Sequence, residues 1–154
     1  MTFAIRDAVP TDADTIADFN NRLAEETEAR TLVPELIGGG VAALLADPSK
    51  GHYWVAESGD QVIGQIGISF EWSDWRNGMM WWIQSVYVHK NHRRKGAYSS
   101  LYQHVESLAR NDPEVIGIRL YVEKNNDRAQ STYAKLGMNK THYQIMQTFF
   151  DNEK

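Results

Sequence analysis

Two hydrophobic periods divide the chain into strands and helices. Apolar residues that alternate with polar ones predict strands, and apolar residues that recur every three or four positions predict amphipathic helices. The predicted strands cover residues 3–8, 52–57, 61–70, 79–88, 115–122 and 138–150. The predicted helices follow an N-cap at Thr11, span residues 34–46 and 97–110, and start again at residues 125–127. The order β-α-α-β-β-β-α-β-α-β is typical of an α/β fold with helices on both faces of a sheet.

The connections between these elements predict the strand directions. A tight polar turn at residues 58–60 joins two alternating runs into a hairpin, and a longer turn at residues 72–78 leads into strand 79–88. Helix 97–110 then crosses over, so strand 115–122 should lie parallel to strand 79–88. The predicted central sheet is therefore mixed and mostly antiparallel.

Two features of the first two helices are unusual. The first helix ends in the carboxylates Glu25, Glu26 and Glu28, which oppose the helix dipole. We interpret them as surface residues, with an acceptor site for an amine as the alternative. The second helix contains three glycines at positions 38–40, each costing a helix up to about 1 kcal/mol relative to alanine. We expect a break or a mobile segment there.

Strand 79–88 leads into helix 97–110 through the basic turn Arg93-Arg94-Lys95-Gly96. The first N–H groups of a helix have no partner within it, and its dipole favours an anion there. Three cations surround these donors, and Gly96 has no side chain to keep a phosphate off the backbone. The turn predicts a phosphate site, with a solvated basic turn as the alternative. Neither a P-loop nor a Rossmann glycine pattern is present.

Composition narrows the class of protein. The 154 residues are 42% hydrophobic and 23% charged, which predicts a single globular domain spanning residues 1–154. A net charge of −4 argues against nucleic-acid binding, and no apolar run is long enough to span a membrane. The chain has no cysteine and no recognisable signal peptide, so we expect a cytoplasmic protein. We expect no metal either, because His89 and His92 lie on a loop without a third ligand.

Two motifs together resemble the GNAT superfamily of N-acetyltransferases. One is Arg93-x-x-Gly96 at the start of a helix after a strand, and the other is Asn126-x-x-Ala129-x-x-x-Tyr133 followed by Leu-Gly-Met. The match is close over residues 80–140, and the order of elements extends it to nearly the whole chain. The resemblance implies the GNAT fold, in which the parallel strand pair splays apart. This chain departs from the family pattern at Tyr98, where a glycine or alanine is usual.

The resemblance implies acetyl-CoA as the cosubstrate. Its diphosphate would bind the basic turn, and its pantetheine arm would pair like an extra strand with strand 79–88. Asn126 would bond to the arm from across the cleft. The implied cosubstrate-binding residues are Val86, Tyr87, Val88, Arg93, Arg94, Lys95, Gly96, Ala97, Tyr98, Ser99 and Asn126.

Transfer of an acetyl group to an amine needs a base and an acid. Deprotonating a lysine-like amine of pKa near 10.4 at neutral pH costs about 5 kcal/mol, so a positioned base matters. Our first candidate is Glu71, with Asp74 and Glu123 as alternatives. By the resemblance, the hydroxyl of Tyr133 faces the sulfur and protonates the departing thiolate. Its alternative role is that of a core aromatic residue.

Residues 70–88 bear on which amine accepts the acetyl group. Residues 70–88 are also similar to the spermidine/spermine acetyltransferases, but Gln84 and Ser85 stand where those enzymes have an acidic pair. This difference argues against a polyamine acceptor. We expect direct transfer of acetyl to the primary amine of a small molecule. A protein or peptide N-acetyltransferase and a non-catalytic acyl-CoA-binding module are the alternatives. The tryptophans at positions 72, 75, 81 and 82 indicate core or dimer packing or an aromatic wall for the acceptor, and we expect a homodimer.

Overall fold

Five strands and four helices form within residues 3–151, the part of the chain that this computed structural model describes. The strands are β1 (Ala4–Asp7), β2 (His52–Ser58), β3 (Gln61–Ser73), β4 (Gly78–Val88) and β5 (Val115–Leu120). The helices are α1 (Ala13–Glu28), α2 (Pro34–Ala46), α3 (Ala97–Asn111) and α4 (Asp127–Lys135). Two compact units divide at residue 121, so α4 belongs to the second unit and every other element to the first.

The strands form one sheet in the order β1-β2-β3-β4-β5. The first three neighbouring pairs are antiparallel, and β4 and β5 are parallel. The predicted mixed, mostly antiparallel sheet is therefore confirmed. It follows from the short connections between β2, β3 and β4 and from the helical crossover before β5.

Helices cover both faces of this sheet, and strand alternation determines which residues each helix meets. Tyr53 and Val55 of β2 face α1 and α2, where they form a buried cluster with Ile16 and Val41. The intervening Trp54 faces α3, and its ring centre lies 6.1 Å from that of His104. Both faces of the sheet centre are thus buried, as the predicted layer fold requires.

Helix α2 runs unbroken through its three glycines, so the predicted break is wrong. Val41, which directly follows the triplet, is buried, and Ile37, Leu44 and Leu45 pack against the same core cluster. Packing of one face against the sheet outweighs the low helix propensity of the glycines.

Helix α1 begins one residue later than predicted. Residues Pro10–Asp12 form a 3-10 turn, and Asp12, not Thr11, is the residue that precedes α1. The Asp12 carboxylate is buried and accepts two hydrogen bonds from the Arg6 guanidinium, at 2.8 and 2.9 Å, and one from the Val9 N–H. The hydrogen bond from Arg6 is the main cause of the lowered pKa of Asp12. An ion pair with Arg6 of β1 therefore holds the residue that precedes this helix.

The predicted last strand, residues 138–150, does not form in the described structure. Most side chains of this segment are exposed, including Ile145, Met146 and Phe150. An alternating pattern becomes a strand only where a partner strand takes its backbone hydrogen bonds. Among the described residues of the second unit, α4 is the only regular element, so no such partner lies within it.

Gly67 on β3 has no room for a side chain. A Cβ built there would lie 2.5 Å from the buried ring of Tyr53, whose hydroxyl accepts a hydrogen bond from Asn20. We expect Gly67→Ala to lower the free energy of unfolding by about 2 kcal/mol, because the ring must leave its packed position. Urea unfolding measures the change.

The matched control for this variant is Gly39→Ala in α2, where an added Cβ meets nothing within 4 Å. It should raise stability by about 0.5–1 kcal/mol through helix propensity. Equal effects of the two substitutions would contradict the packing assigned to Gly67.

Candidate functional site

The parallel strands β4 and β5 separate halfway along β4. Their pairing runs from Met79 opposite Val115 to Ile83 opposite Leu120, and β5 ends there. β4 continues to Val88, still paired with β3 on its other side. Within the first unit, the described residues therefore leave one edge of residues 84–88 without a strand partner, and the predicted splay is confirmed.

The backbone groups on this open edge follow from one hydrogen bond. The His89 N–H donates to the Ile63 carbonyl of β3 at 2.8 Å, so the Val88 carbonyl of the same peptide faces away from β3. Alternation along the strand then places the main-chain groups of Val86 and Val88 on the open edge and those of Tyr87 toward β3. Two of the three predicted β4 residues thus present backbone to the opening, and Tyr87 does not.

β4 leads through the predicted basic turn into α3. A 3-10 turn spans Lys90–His92, and Arg94 and Gly96 both have left-handed backbone, with φ of 63° and 87°. In α3 the N–H of Ser100 donates to the Gly96 carbonyl at 3.0 Å. Across residues 3–151, no acceptor is found for the N–H groups of Ala97 and Ser99, and no side chain caps this helix. Two N–H donors without a partner among the described residues therefore lie at the head of α3, where the dipole favours an anion.

The three cations of the turn do not share one role. Arg94 and Lys95 are exposed, and neither forms an ion pair with any described residue. The Arg93 guanidinium instead turns toward the protein, donating to the Val88 carbonyl at 2.9 Å and to Glu26 at 2.6 Å. Tyr98, whose place in the motif is usually small, is half-buried.

Glu26 also accepts a hydrogen bond from the Tyr87 hydroxyl. Burial raises the pKa of Tyr87 to about 12, and its bond to Glu26 adds to the rise. Burial alone would raise the pKa of Glu26, but the hydrogen bonds from Tyr87 and Arg93 outweigh it and lower that pKa. Near neutral pH the phenol is therefore a donor and the carboxylate an ionised acceptor. This contact excludes the interpretation of Glu26 as a plain surface residue.

Glu71 lies near the end of β3 on an exposed face of the sheet. Its Oε1 accepts hydrogen bonds from Arg119 at 3.0 Å and from the indole N–H of Trp82 at 3.1 Å. No contact to its Oε2 is found within the described part of the chain, so this atom can still take a proton. The alternative base Asp74 lies in the turn after β3, where its carbonyl accepts from Asn77.

The tryptophans divide between packing and exposure. The ring centre of Trp81 lies 6.1 Å from that of Trp54, and the ring of Trp82 lies against that of Tyr121, 4.6 Å away and tilted by 37°. Trp75 is 90% exposed at the tip of the β3–β4 hairpin and Trp72 is half exposed. Both line a shallow cavity of about 200 Å³ together with Glu71, Ser73, Asp74, Arg76 and Arg119.

A buried polar cluster under β4 was missed by sequence reasoning. Gln65 donates to Ser85 at 3.0 Å and to Asn20 at 3.3 Å, and Ser85 donates to Asn20 at 2.7 Å. Asn20 in turn donates to Tyr53, and burial raises the pKa of that phenol. The signal available in the sequence was a glutamine at an inward position of an otherwise apolar strand.

Ser85 belongs to an irregularity in β4. Gly67 pairs with Ser85 and Ile68 with Ile83, so Gln84 is an extra residue in this strand. Gln84 donates to Ser69 on β3 at 2.8 Å. Gln84 and Ser85 stand where the spermidine/spermine acetyltransferases have an acidic pair. At this bulge, Gln84 hydrogen-bonds to β3 and Ser85 to α1.

The second unit carries the other predicted motif. The Asn126 side chain accepts a hydrogen bond from the Ala129 N–H and so caps α4, a role different from the predicted contact with the pantetheine arm. Tyr133 lies on the last turn of α4 and is half-buried. Gly137 follows the C-cap Leu136 with φ of 92°, the left-handed conformation in which glycine commonly ends a helix. The third candidate base, Glu123, accepts from the Asn125 N–H.

Neither a metal cluster nor a membrane helix is found in residues 3–151. No group of three or more His, Cys, Asp or Glu side chains there could hold a metal ion. No helix in that range is long and apolar enough to cross a bilayer.

A mixed sheet with an opened parallel pair, leading into a helix whose first N–H groups have no partner among the described residues, is typical of the N-acetyltransferase fold. The sequence model of the acetyltransferase (GNAT) family matches residues 14–138. The chain therefore belongs to the GNAT family, and it is an acetyl-CoA-dependent N-acetyltransferase. The resemblance found in the two motifs is confirmed.

Solved structures agree with this assignment. A possible acetyltransferase from Clostridium difficile 630 is 43% identical, with a TM-score of 0.93 over 99% of this chain and 100% of that one. The aminoglycoside N-acetyltransferase AAC(6')-Iy, solved in complex with CoA, is 14% identical, with a TM-score of 0.78 over 97% of this chain and 95% of that one. A ribosomal-protein-alanine N-acetyltransferase from Brucella melitensis biovar Abortus 2308 is 15% identical, with a TM-score of 0.75 over 96% of this chain and 100% of that one. The last two show the fold alone. A search of curated protein sequences gives no significant match.

Proposed function

We propose that this acetyltransferase moves an acetyl group from acetyl-CoA directly to the primary amine of a small molecule. The observation that carries the proposal is the continuity between the open edge of β4 and the N–H donors at the head of α3 that have no partner among the described residues. One ligand with an amide-bearing arm and a diphosphate matches both features at once. Acetyl-CoA has that chemistry.

The donors of the turn fit a diphosphate. The N–H groups of Ala97 and Ser99 supply hydrogen bonds, and exposed Arg94 and Lys95 supply charge. Gly96 adds no side chain at a left-handed position where other residues are strained. We place the diphosphate on residues 94–99, next to the turn that Arg93 anchors.

The pantetheine arm would pair with the open edge of β4. The main-chain groups of Val86 and the N–H of Val88 are the partners that we assign to it. We assign the amide nitrogen of Asn126 as a further donor, because its oxygen caps α4.

Acetyl-CoA, once bound, supplies an acetyl group activated as a thioester, and its thiolate leaves needing a proton. We assign that proton to the Tyr133 hydroxyl on the family motif, since a phenol remains protonated at neutral pH. We assign Glu71 as the group that takes the proton of the amine through water, because its Oε2 is open and its position is fixed through Oε1.

A small acceptor is supported by the shallow cavity beside Glu71 and by the acceptors that related folds use. One neighbour is an aminoglycoside acetyltransferase, whose acceptor carries amines on a small scaffold. Another is a ribosomal-protein-alanine acetyltransferase, so a protein or peptide acceptor is the second candidate. We also propose that the chain acts as one domain, in the cytoplasm, and as a homodimer.

Ligand-induced stabilisation tests the cosubstrate assignment. Acetyl-CoA at 100 times its dissociation constant should stabilise the protein by about 2.7 kcal/mol, which raises the Tm by about 5–10 °C. Pantetheine, which lacks the diphosphate, is the control and should give little shift. An unchanged Tm in millimolar acetyl-CoA would contradict the proposal that this protein binds acetyl-CoA.

CoA release with a panel of amines then tests the acceptor. Aminoglycosides, amino acids and polyamines represent small molecules, and short peptides represent proteins. Turnover with peptides alone would replace the small-molecule assignment. Binding of acetyl-CoA without turnover on any amine would favour a non-catalytic acyl-CoA-binding module.

A further inference from the structure

Arg93 is anchored by three contacts to the protein. Its Nε donates to the Val88 carbonyl, one terminal nitrogen donates to Glu26, and its Cζ lies 5.3 Å from the centre of the Tyr87 ring. The Val88 contact ties the turn to the end of β4. Arg93 is therefore held by the fold and does not extend toward a ligand.

Glu26 connects three elements of the first unit. One carboxylate oxygen accepts from Arg93 and the other from Tyr87, which lie 67 and 61 positions away in sequence. Tyr87 is only 4% exposed, so its hydroxyl needs this partner. The carboxylate thus joins the last turn of α1 to β4 and to the basic turn.

The backbone that follows Arg93 needs such an anchor. Arg94 has a φ of 63°, in the left-handed region, which costs a residue with a side chain about 1 kcal/mol or more. A strained residue keeps its conformation only where its surroundings determine it. If Arg94 relaxed, the peptide planes between it and Ala97 would rotate, and the donors at the head of α3 would change direction.

We propose that Glu26 is a positioning residue for acetyl-CoA: by holding Arg93 against the end of β4, it fixes the turn at residues 93–96 in the conformation that binds the diphosphate. This inference rests on the proposed function, because it requires the diphosphate to bind at the head of α3. Glu26 itself contacts no phosphate in this arrangement. Arg94 and Lys95 face the ligand, whereas Arg93 faces the protein.

Positioning and simple electrostatics predict opposite changes in acetyl-CoA affinity when Glu26 is removed. Glu26 is an anion near an anion site, so charge alone predicts that its removal strengthens acetyl-CoA binding. Positioning predicts the opposite, because the turn loses its anchor. Glu25, the preceding residue on α1, is exposed and makes no side-chain contact with a described residue. Glu25→Ala therefore removes the same negative charge without removing a contact.

The test compares Glu26→Ala with Glu25→Ala in the full chain, by titration calorimetry with CoA and by steady-state kinetics. For Glu26→Ala we expect the Kd for CoA and the KM for acetyl-CoA to rise about tenfold, as for the loss of one charge-assisted hydrogen bond. The kcat at saturating acetyl-CoA should stay within about twofold, since the reacting groups are untouched. Glu25→Ala should leave both constants unchanged or slightly lower them.

Glu26→Gln is the conservative variant. Its amide oxygen can still accept from Arg93, so a rise of about threefold, smaller than for alanine, would support positioning. A Kd and KM for Glu26→Ala that match those of Glu25→Ala would overturn the inference, as would a fall in kcat with an unchanged KM. If the alanine variant does not fold, the glutamine variant decides, and a KM at or below that of wild type overturns the inference. Absence of CoA binding by the wild type would instead remove the proposed function together with this inference.

Discussion

Tyr133→Phe should lower kcat by about 100-fold or more, the usual contribution of a positioned general acid. The substitution removes only the hydroxyl oxygen, so the half-buried aromatic ring on α4 is kept. We expect the KM for acetyl-CoA to change less than threefold, because the family motif assigns this residue to the sulfur and not to the phosphates. CoA release measured at saturating amine and acetyl-CoA gives the result.

Tyr143→Phe is the matched control for this experiment. Tyr143 is 61% exposed on the segment after α4, and we expect no change in kcat when its hydroxyl is removed. Equal rates for wild type and Tyr133→Phe with every active amine would show that Tyr133 is a structural aromatic residue. The acid would then have to be sought elsewhere.

Reversing both exposed charges of the turn, in Arg94→Glu with Lys95→Glu, should raise the KM for acetyl-CoA by about 100-fold at low salt. Each reversal replaces an attraction to the diphosphate with a repulsion of similar size. Because such charges are screened by salt, the difference from wild type should shrink as potassium chloride is raised from 0.05 to 0.5 M. Initial rates at varied acetyl-CoA provide both measurements.

The control is Arg110→Glu, the same charge change at the other end of α3. Arg110 is 77% exposed, and 13 residues of helix place it about 20 Å from the turn. We expect less than a twofold change in KM. A double variant that binds acetyl-CoA as tightly as wild type would contradict the placement of the phosphates.

The roles of Arg93 and Arg94 show where sequence reasoning stops. Both were predicted as cosubstrate-binding residues on equal terms, because they are adjacent cations in one motif. The structure separates them, since Glu26 on α1 engages one and leaves the other exposed. No local pattern in the sequence indicates this contact, because the partner lies 67 positions away.

The site in β4 shows the same limit. The splayed pair was expected from the family resemblance, and the end of β5 at Leu120 confirms it. The bulge at Gln84 was not expected, because register in a sheet depends on how neighbouring strands pack. This bulge decides that Gln84 and Ser85 make hydrogen bonds to Ser69 and Asn20.

Periodicity by itself located the four helices and the five strands that form, including the bounds of α2, because a repeat of two or of three to four residues is a local property of the chain. The order of these elements and two short motifs determined the fold and the family. Only the tertiary structure decided that α2 continues through its glycines, that residues 138–150 form no strand, and that Glu26 holds the basic turn. Each of these outcomes depends on contacts between residues far apart in sequence, whose energies exceed the local preferences that a sequence displays.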